Sequence, residues 1–181
     1  MTQTRATSRS RGNRSGGLTI GRVFTTEGVH PYQEVSWERR DVVQQNWKTG
    51  EVVFEQRGVE FPSSWSINAS TIVTTKYFRG ALGTPQRESS LKDLIDRVVK
   101  KYRSAGEEHG YFATAADAEI FEHELAAMLV RQVFSFNSPV WFNVGTPSLQ
   151  QVSACFILSV DDSMESILNW YREEGMIFKG R

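Results

Sequence analysis

The stretch that decides the fold reads FNSPVWFNVGTPSLQQVSACFILSV and covers residues 136–160. Its first half is aromatic and uncharged and is interrupted by Pro139 and Pro147, which predicts a loop that is either buried or part of a site. Its second half alternates in polarity over 152–160, which predicts a strand. On that strand Cys155 shares the more polar face with serines.

A helix is predicted directly after this strand. Residues 162–165, DSME, are typical of a helix start, because carboxylates there favour the positive end of the helix dipole. Simple capping explains Asp161 and Asp162 as readily as a ligand site does. The apolar stripe of the helix consists of Met164, Ile167, Leu168 and Tyr171.

Two amphipathic helices are predicted upstream. The first starts at a capping box of Ser90 and Asp93, and the second starts at Thr114 with Asp117. Their apolar positions recur at helical spacing and are Leu91, Leu94, Ile95, Val98, Val99 and Tyr102 in the first helix and Phe121, Leu125, Met128, Leu129 and Val133 in the second. Consecutive helices of this kind are expected to pack as an antiparallel pair.

Residues 18–78 have the short apolar runs and turns of a β-rich segment. A hairpin is predicted around residues 48–50, because glycine at the third turn position accepts a positive φ. The β-branched run at 71–75 favours another extended stretch, and the Gly- and Pro-rich residues 79–87 favour a loop. The sequence therefore predicts an α+β domain.

The composition excludes several classes of protein. The 181 residues are 39% hydrophobic and carry 21 basic and 21 acidic side chains, for a formal net charge of zero. This argues against wholesale disorder and against a dedicated nucleic-acid binder, which is normally strongly basic. No apolar run is long enough for a membrane helix. The single cysteine excludes an internal disulfide and a multi-cysteine zinc site, and it fits a cytoplasmic compartment.

Residues 1–17 are rich in Ser, Thr, Arg and Gly and predict a disordered basic tail. Its four arginines leave open a contact with nucleic acid, which would depend steeply on salt and disappear when the tail is deleted. The neutral remainder of the chain argues against this contact. We therefore expect neither a nucleic-acid nor a membrane partner.

Two sites are candidates for chemistry, and each also has an ordinary structural explanation. Cys155 is a candidate thiol, although a lone cysteine in a strand is usually a small buried hydrophobe. Ser138, preceded by Asn137, is a candidate ligand contact, although Asn-Ser-Pro is also ordinary turn chemistry. The chain has no Ser-His-Asp set, P-loop or Rossmann glycine pattern, and no metal site is predicted.

The same stretches resemble a known family. Residues 136–145 (FNSPVWFNVG), 151–158 (QVSACFIL) and 162–167 (DSMESI) are similar to the catalytic chain of ribonucleotide reductases, and more narrowly to the vitamin B12-dependent (class II) enzymes. The upstream stretches VFTTEGVHPYQEVSWERRD and VEFPSSWSINASTIVTTKYFRG resemble the N-terminal domain of that family. The resemblance covers residues 18–179.

The resemblance implies roles for four residues. Ser138 matches the hydroxyl residue that contacts the substrate nucleotide, and Cys155 matches one member of the redox cysteine pair beside the ribose. Asp162 matches the acidic residue of the effector site, where a deoxynucleotide or ATP selects the base that is reduced. Ala154 lies where relatives often carry a serine that meets the substrate phosphate, so a backbone contact remains and a hydroxyl contact is lost.

The fold implied by the resemblance is a ten-stranded α/β barrel preceded by a mostly helical domain. We expect residues 18–135 to form that N-terminal domain. Residues 136–181 would begin the barrel, with a substrate loop, the first strand at 152–160 and an effector-site helix. In the family the second redox cysteine, the radical-bearing cysteine and most of the adenosylcobalamin site lie further along the chain.

The resemblance therefore identifies this chain as an N-terminal fragment of an adenosylcobalamin-dependent ribonucleoside-diphosphate reductase, inactive by itself. The sequence does not decide whether the substrate is a ribonucleoside diphosphate or a ribonucleoside triphosphate. Its expected partners are a ribonucleotide substrate, a dNTP or ATP effector, a thioredoxin-like reductant, the C-terminal remainder of the reductase and, in a homodimer, a second copy.

A second class of function remains open beside this one. A fragment of a radical enzyme would expose an apolar face and unpaired strand edges, and it would aggregate or require a partner. A free-standing nucleotide-binding or interaction module would instead be soluble and monodisperse and would bind nucleotide by itself.

Overall fold

The computed structural model describes residues 16–148 and 150–179, so the predicted tail lies outside the described residues except for its last two positions. The helices and strands of this part are β1 (Trp37–Gln45), β2 (Val52–Pro62), α1 (Ile67–Ile72), α2 (Leu91–Glu108), α3 (Ala115–Val130), α4 (Ser138–Asn143) and α5 (Met164–Lys179). A 3₁₀ turn spans Pro31–Glu34, and a π-helical turn continues α1 through Val73–Tyr77. No helix of the described chain combines the length and the apolar content that crossing a bilayer requires.

The predicted hairpin is confirmed. Strands β1 and β2 pair antiparallel, from Trp37 opposite Pro62 to Gln45 opposite Val52. Gly50 in the connecting turn has φ +74, as its position in the sequence predicts. The side chains that the hairpin buries are Val42, Val59, Phe61 and Pro62.

The two predicted central helices are also confirmed. Ser90 Oγ accepts the backbone N–H of Lys92 at 3.1 Å, and the Asp93 carboxylate accepts that of Ser90 at 3.0 Å, which completes the capping box of α2. Thr114 caps α3 by accepting the N–H of Asp117 at 3.1 Å. Helices α2 and α3 pack against each other, and the apolar core residues that they contribute are Leu91, Leu94, Ile95, Val98, Val99, Leu125, Ala126, Leu129 and Val130.

The β-branched run at 71–75 is helical, which corrects the extended stretch predicted there. Ser66 caps α1 by accepting the N–H of Ala69 at 3.1 Å. Burial at helical spacing then outweighs strand propensity, because Thr74 and Phe78 are buried on the core side.

An N-terminal strap, residues 18–35, crosses α3 and is held by two carboxylates of that helix. The backbone N–H of Ile20 donates to Asp117 Oδ1 at 2.8 Å. Four residues further along the strap, the N–H of Phe24 donates to Glu124 Oε2 at 2.9 Å. The backbone N–H groups of the strap therefore donate to carboxylates of α3 that are distant in the sequence.

The core continues past residue 135, where the sequence predicts a domain boundary. Val140, Trp141 and Val144 pack in the same apolar cluster as α2 and α3. The segment that begins the predicted barrel is thus anchored in the N-terminal core.

No strand forms at 152–160 in the described chain, contrary to the sequence prediction. A strand requires a neighbour for its N–H and C=O groups, and the sheet described here contains only β1 and β2. The barrel continuation is likewise not seen among the described residues. Helix α5 starts at Met164 as predicted, but none of its residues is buried within the described chain.

Candidate functional site

The loop predicted at 136–147 contains the short helix α4, and the sequence explains why. Asn137 Oδ1 accepts the N–H of Val140 at 3.2 Å, which caps the helix, and Pro139 lies in the first turn, where no N–H is needed. Asn137 Nδ2 also donates to the Val152 carbonyl at 2.9 Å. The cap residue therefore ties the following segment, which carries Ala154 and Cys155, to the helix.

An open pocket of about 1200 Å³ lies between α4, helix α2 and the loop at 79–88. This is ample for a nucleotide-sized ligand, since small-molecule sites commonly measure about 300–1,000 Å³. Its lining includes the side chains of Arg79, Glu88, Arg97, Ser138 and Phe142, and Ala154 also lines the pocket.

Ser138 is placed in this pocket by the first turn of α4. Its Oγ lies 3.0 Å from the hydroxyl of Tyr77, and either oxygen can donate. Tyr77 ends the π-helical turn and is packed against Phe142 with ring centroids 5.2 Å apart, so its hydroxyl is held in place. The serine hydroxyl keeps a further hydrogen-bonding site for a ligand.

Arg97 and Glu88 form a largely buried ion pair in the lining of the pocket. Arg97 Nε lies 2.6 Å from Glu88 Oε1. The other guanidinium nitrogens donate to the carbonyls of Val144 at 2.7 Å and Trp141 at 3.1 Å. Arg97 thus fixes the end of α4 to α2 and has its charge matched by Glu88.

Arg79 is the second cation of the pocket and is placed differently. Its Nε donates to the Phe142 carbonyl at 2.9 Å, and its guanidinium carbon lies 4.9 Å from the centre of the Phe142 ring. Burial and then the charge of Arg97 lower the pKa of Arg79 from its usual value, against the raising effect of Glu88. The guanidinium stays charged at neutral pH.

The structure brings two of the four predicted site residues together. Ser138 and Ala154 line the same pocket. Cys155 is an exposed free cysteine directly after Ala154 and is not among the lining residues. Asp162 is exposed two residues before α5 and lies outside the pocket.

Sequence reasoning missed the charged half of the pocket. Arg79 and Glu88 flank the Gly- and Pro-rich loop, and an arginine bordering such a loop is a signal that could have been used. Arg97 lies within α2 between core residues, where helical spacing gives no hint that it faces a site. Among the described residues, no group of three or more His, Cys, Asp or Glu side chains is arranged to hold a metal ion.

Comparison with known proteins decides the family. The family model described as class II vitamin B12-dependent ribonucleotide reductase matches residues 39–132, which is just over half of the chain. The chain belongs to this family. The match covers most of β1, all of β2 and helices α1 to α3, and it ends before α4, which carries Ser138.

Individual members of the class II ribonucleotide reductase family are similar over nearly all of the chain. Vitamin B12-dependent ribonucleotide reductases of Streptomyces coelicolor and Streptomyces clavuligerus are each 74% identical over 174 residues, which is 96% of this chain and 18% of the relative. The enzyme of Rhodopirellula baltica is 34% identical over 198 residues, covering 93% of this chain and 19% of the relative. The chain therefore spans about 18% of the length of these relatives.

Proposed function

We propose that this chain is the N-terminal part of an adenosylcobalamin-dependent ribonucleoside-diphosphate reductase. Such an enzyme converts ribonucleotides to the deoxyribonucleotides used for DNA synthesis. The observation that carries the proposal is the 74% identity, over 96% of the chain, to vitamin B12-dependent ribonucleotide reductases. Because the chain spans only about 18% of their length, the activity belongs to the complete enzyme.

The open pocket receives part of the substrate nucleotide. Ser138 contacts the nucleotide through its hydroxyl, and the backbone at Ala154 contacts its phosphate. The presence of both residues in one pocket supports these roles. The hydrogen bond between the hydroxyls of Tyr77 and Ser138 gives Tyr77 a positioning role, because it restricts the rotation of the Ser138 hydroxyl.

Cys155 supplies reducing equivalents as one member of a cysteine pair. Two thiols lose two electrons and two protons in forming a disulfide, while the ribose C2′–O bond breaks. One proton leaves with the 2′-oxygen as water, and a hydrogen replaces the hydroxyl at C2′. The exposure of Cys155 supports this role, because thiol–disulfide exchange requires access to the sulfur.

The described residues do not form a cobalamin site. The candidate pocket presents two guanidinium groups and one carboxylate, a lining suited to an anion, and no trio of metal-binding side chains converges elsewhere in the described ranges. The cofactor would supply the radical chemistry from elsewhere in the complete enzyme. No step derived for this chain passes through it.

Regulation and assembly involve the segment around α5. Asp162 contacts a deoxynucleotide or ATP effector, and α5 packs on a second copy of the chain in a homodimer. The exposure of Met164, Leu168 and Tyr171 on α5 supports a covering partner. A thioredoxin-like reductant and the C-terminal remainder of the enzyme complete the set of partners.

The redox role is tested by Cys155→Ser in the complete reductase. Dithiol-driven turnover should fall to background, while Ser153→Ala, a change of a nearby exposed hydroxyl, should leave turnover within about twofold of the parent enzyme. In a single turnover without added reductant, the parent enzyme should gain one disulfide per product and Cys155→Ser none. Undiminished turnover by Cys155→Ser would remove the proposed role.

A further inference from the structure

The pocket beside Ser138 contains one cation whose charge is not matched. Three ionisable side chains line it, and two of them, Arg97 and Glu88, neutralise each other at 2.6 Å. The backbone N–H of Arg79 donates to Glu88 Oε2 at 2.8 Å, but the Arg79 guanidinium forms no ion pair with a carboxylate of the described residues, and its Nη1 and Nη2 have no hydrogen-bond partner there. The pocket therefore carries an excess positive charge on a half-buried guanidinium.

Arg87, at the other end of the same loop, differs from Arg79 in the hydrogen bonding of its guanidinium. Arg87 also lacks a carboxylate partner in the described chain, but every nitrogen of its guanidinium is bonded. Nε donates to Gln56 at 2.9 Å, Nη1 to the Phe78 carbonyl at 2.7 Å and Nη2 to the Thr74 carbonyl at 2.7 Å. Arg87 is thus a structural arginine, whereas half of the fork of Arg79 remains available.

Two contacts orient the Nη1 and Nη2 groups of Arg79 that have no partner in the described residues. The bond from Arg79 Nε to the Phe142 carbonyl fixes one edge of the guanidinium, and the Phe142 ring lies against it. The free edge carries four N–H donors in one plane, the arrangement that pairs with phosphate oxygens in a bidentate manner. Because partial burial strips water from this cation, an anion that binds there replaces a lost solvation shell.

The geometry points to Arg79 as a phosphate-binding residue that receives the diphosphate end of a ligand entering the Ser138 pocket. This inference rests on the proposed function for the identity of the ligand, a ribonucleotide, but not for the anion site itself. It assigns the charged end of the pocket to the loop at 79–88 and the neutral end to α4. Arg79 acts by binding and takes no part in the chemistry.

Inorganic pyrophosphate is the probe that tests the anion site separately from the proposed ribonucleotide ligand. When it is titrated into the ¹⁵N-labelled 181-residue chain, the Arg79 Nε–H signal and the backbone amides of Gly80 and Ser138 should shift saturably. Arg79→Gln should weaken binding about tenfold or more, and Arg79→Lys should weaken it less because the charge is kept. Arg57→Gln removes the same charge from an exposed site on β2 and should bind as the parent does.

Arg79→Gln also loses the bond to Phe142, so its spectrum must keep the parent positions for α2 and α3. If the signals of α2 and α3 move in Arg79→Gln, the comparison of the parent with Arg79→Lys tests the inference, because lysine keeps the charge and the packing of the aliphatic part of the side chain. Absence of pyrophosphate shifts at the pocket, or equal affinity of parent and Arg79→Gln, overturns the inference. Pyrophosphate binding that cytidine diphosphate fails to improve or to compete with would leave the anion site standing and count against the proposed nucleotide substrate.

Discussion

Gly145 satisfies two separate requirements at one residue. Its φ is +74, and a Cβ placed on it would lie 2.2 Å from the carbonyl oxygen of Arg97. The positive φ disfavours any residue that has a side chain. The short distance to Arg97 leaves no room for a Cβ, because the chain at the end of α4 touches the backbone of α2 at this point. The pocket wall is therefore built by close backbone contact.

Gly145→Ala should lower the free energy of unfolding by about 3 kcal/mol, since backbone strain and a steric clash add. The matched control is Gly28→Ala, where φ is also +74 but nothing lies within 4 Å of the added Cβ. We expect the control to cost about 1 kcal/mol. Urea unfolding of both variants gives the comparison, and equal losses would show that the contact with Arg97 does not matter.

The pair of Arg97 and Glu88 supports a prediction about buried charge. Their side chains are 11% and 10% exposed, so removing one partner leaves the other charged and poorly solvated. Arg97→Met should cost about 3–5 kcal/mol in unfolding free energy. Adding Glu88→Gln to that variant should recover part of the loss, and a double variant less stable than Arg97→Met would contradict this account of the pair.

At the scale of elements, the N-terminal strap depends on ionised carboxylates. Burial alone would raise the pKa of Glu124, but hydrogen bonds from Thr25 and from the backbone of Phe24 outweigh it and hold the pKa below its ordinary value. Hydrogen bonding from Thr114 and from the Ile20 N–H likewise lowers the pKa of Asp117. Both groups must therefore be charged for the strap to dock.

Docking of the strap should weaken in acid. A group whose folded pKa is lowered stabilises the fold above its unfolded pKa, and this contribution is lost as pH falls, here between about pH 5 and 3. The protection factor of the Phe24 amide, which is the unfolded-chain exchange rate at the same pH divided by the observed rate, should fall in this window. Glu124→Gln should lower this protection factor already at pH 7, by an amount equivalent to about 1 kcal/mol, whereas Glu119→Gln, on the exposed side of α3, should not.

A protection factor at Phe24 that stays constant from pH 7 to 3 would contradict the dependence on carboxylates. The readout is local, so it separates release of the strap from global unfolding, which would expose the amides of α2 and α3 as well.

The elements that the sequence predicts correctly are those with local causes. The capping box at Ser90, the helical spacing in α2 and α3 and Gly50 in the hairpin turn act within a few residues, so they can be read directly. The helix at 67–77 was missed because its β-branched residues favour strands locally, while its stability comes from burial in a distant core. Ser66, its N-cap, was the available signal.

The rest of the site depends on contacts that no local pattern encodes. The strap is held by bonds between residues about 100 positions apart, such as Phe24 to Glu124. Arg79 faces Phe142 across 63 positions. A strand at 152–160 requires neighbours outside the described sheet, so its alternating pattern is necessary for pairing but not sufficient. The resemblance singled out Ser138, which lies in a pocket, whereas the charged side chains of that pocket are brought together only by the fold.

At the scale of the whole molecule, burial is uneven. The core lies under β1, β2 and α1 to α4, while the segment from residue 150 onward presents apolar side chains to solvent. Ile157 is 98% exposed, Met164 is 70% exposed and Met176 is 64% exposed. Several large apolar side chains exposed on one segment are typical of a surface that another protein covers.

The isolated chain should therefore associate as its concentration rises. Sedimentation velocity from about 1 to 100 µM should show this, and Leu168→Glu combined with Met176→Glu should suppress it by placing charges on α5. Trp47→Glu, at the exposed tip of the hairpin, is the control and should leave association unchanged. A chain that stays monomeric throughout would favour a free-standing module.

The strap has a consequence for the order in which this protein is made. Arg131 donates to the carbonyl of Phe24 across 107 positions, so the partner of the strap is synthesised long after the strap itself. At about 5–20 residues per second, the ribosome delivers that partner roughly 5–20 s later. During this interval the strap has no partner to dock on. The strap is therefore made well before α3 and reaches its final place only after α3 has been synthesised.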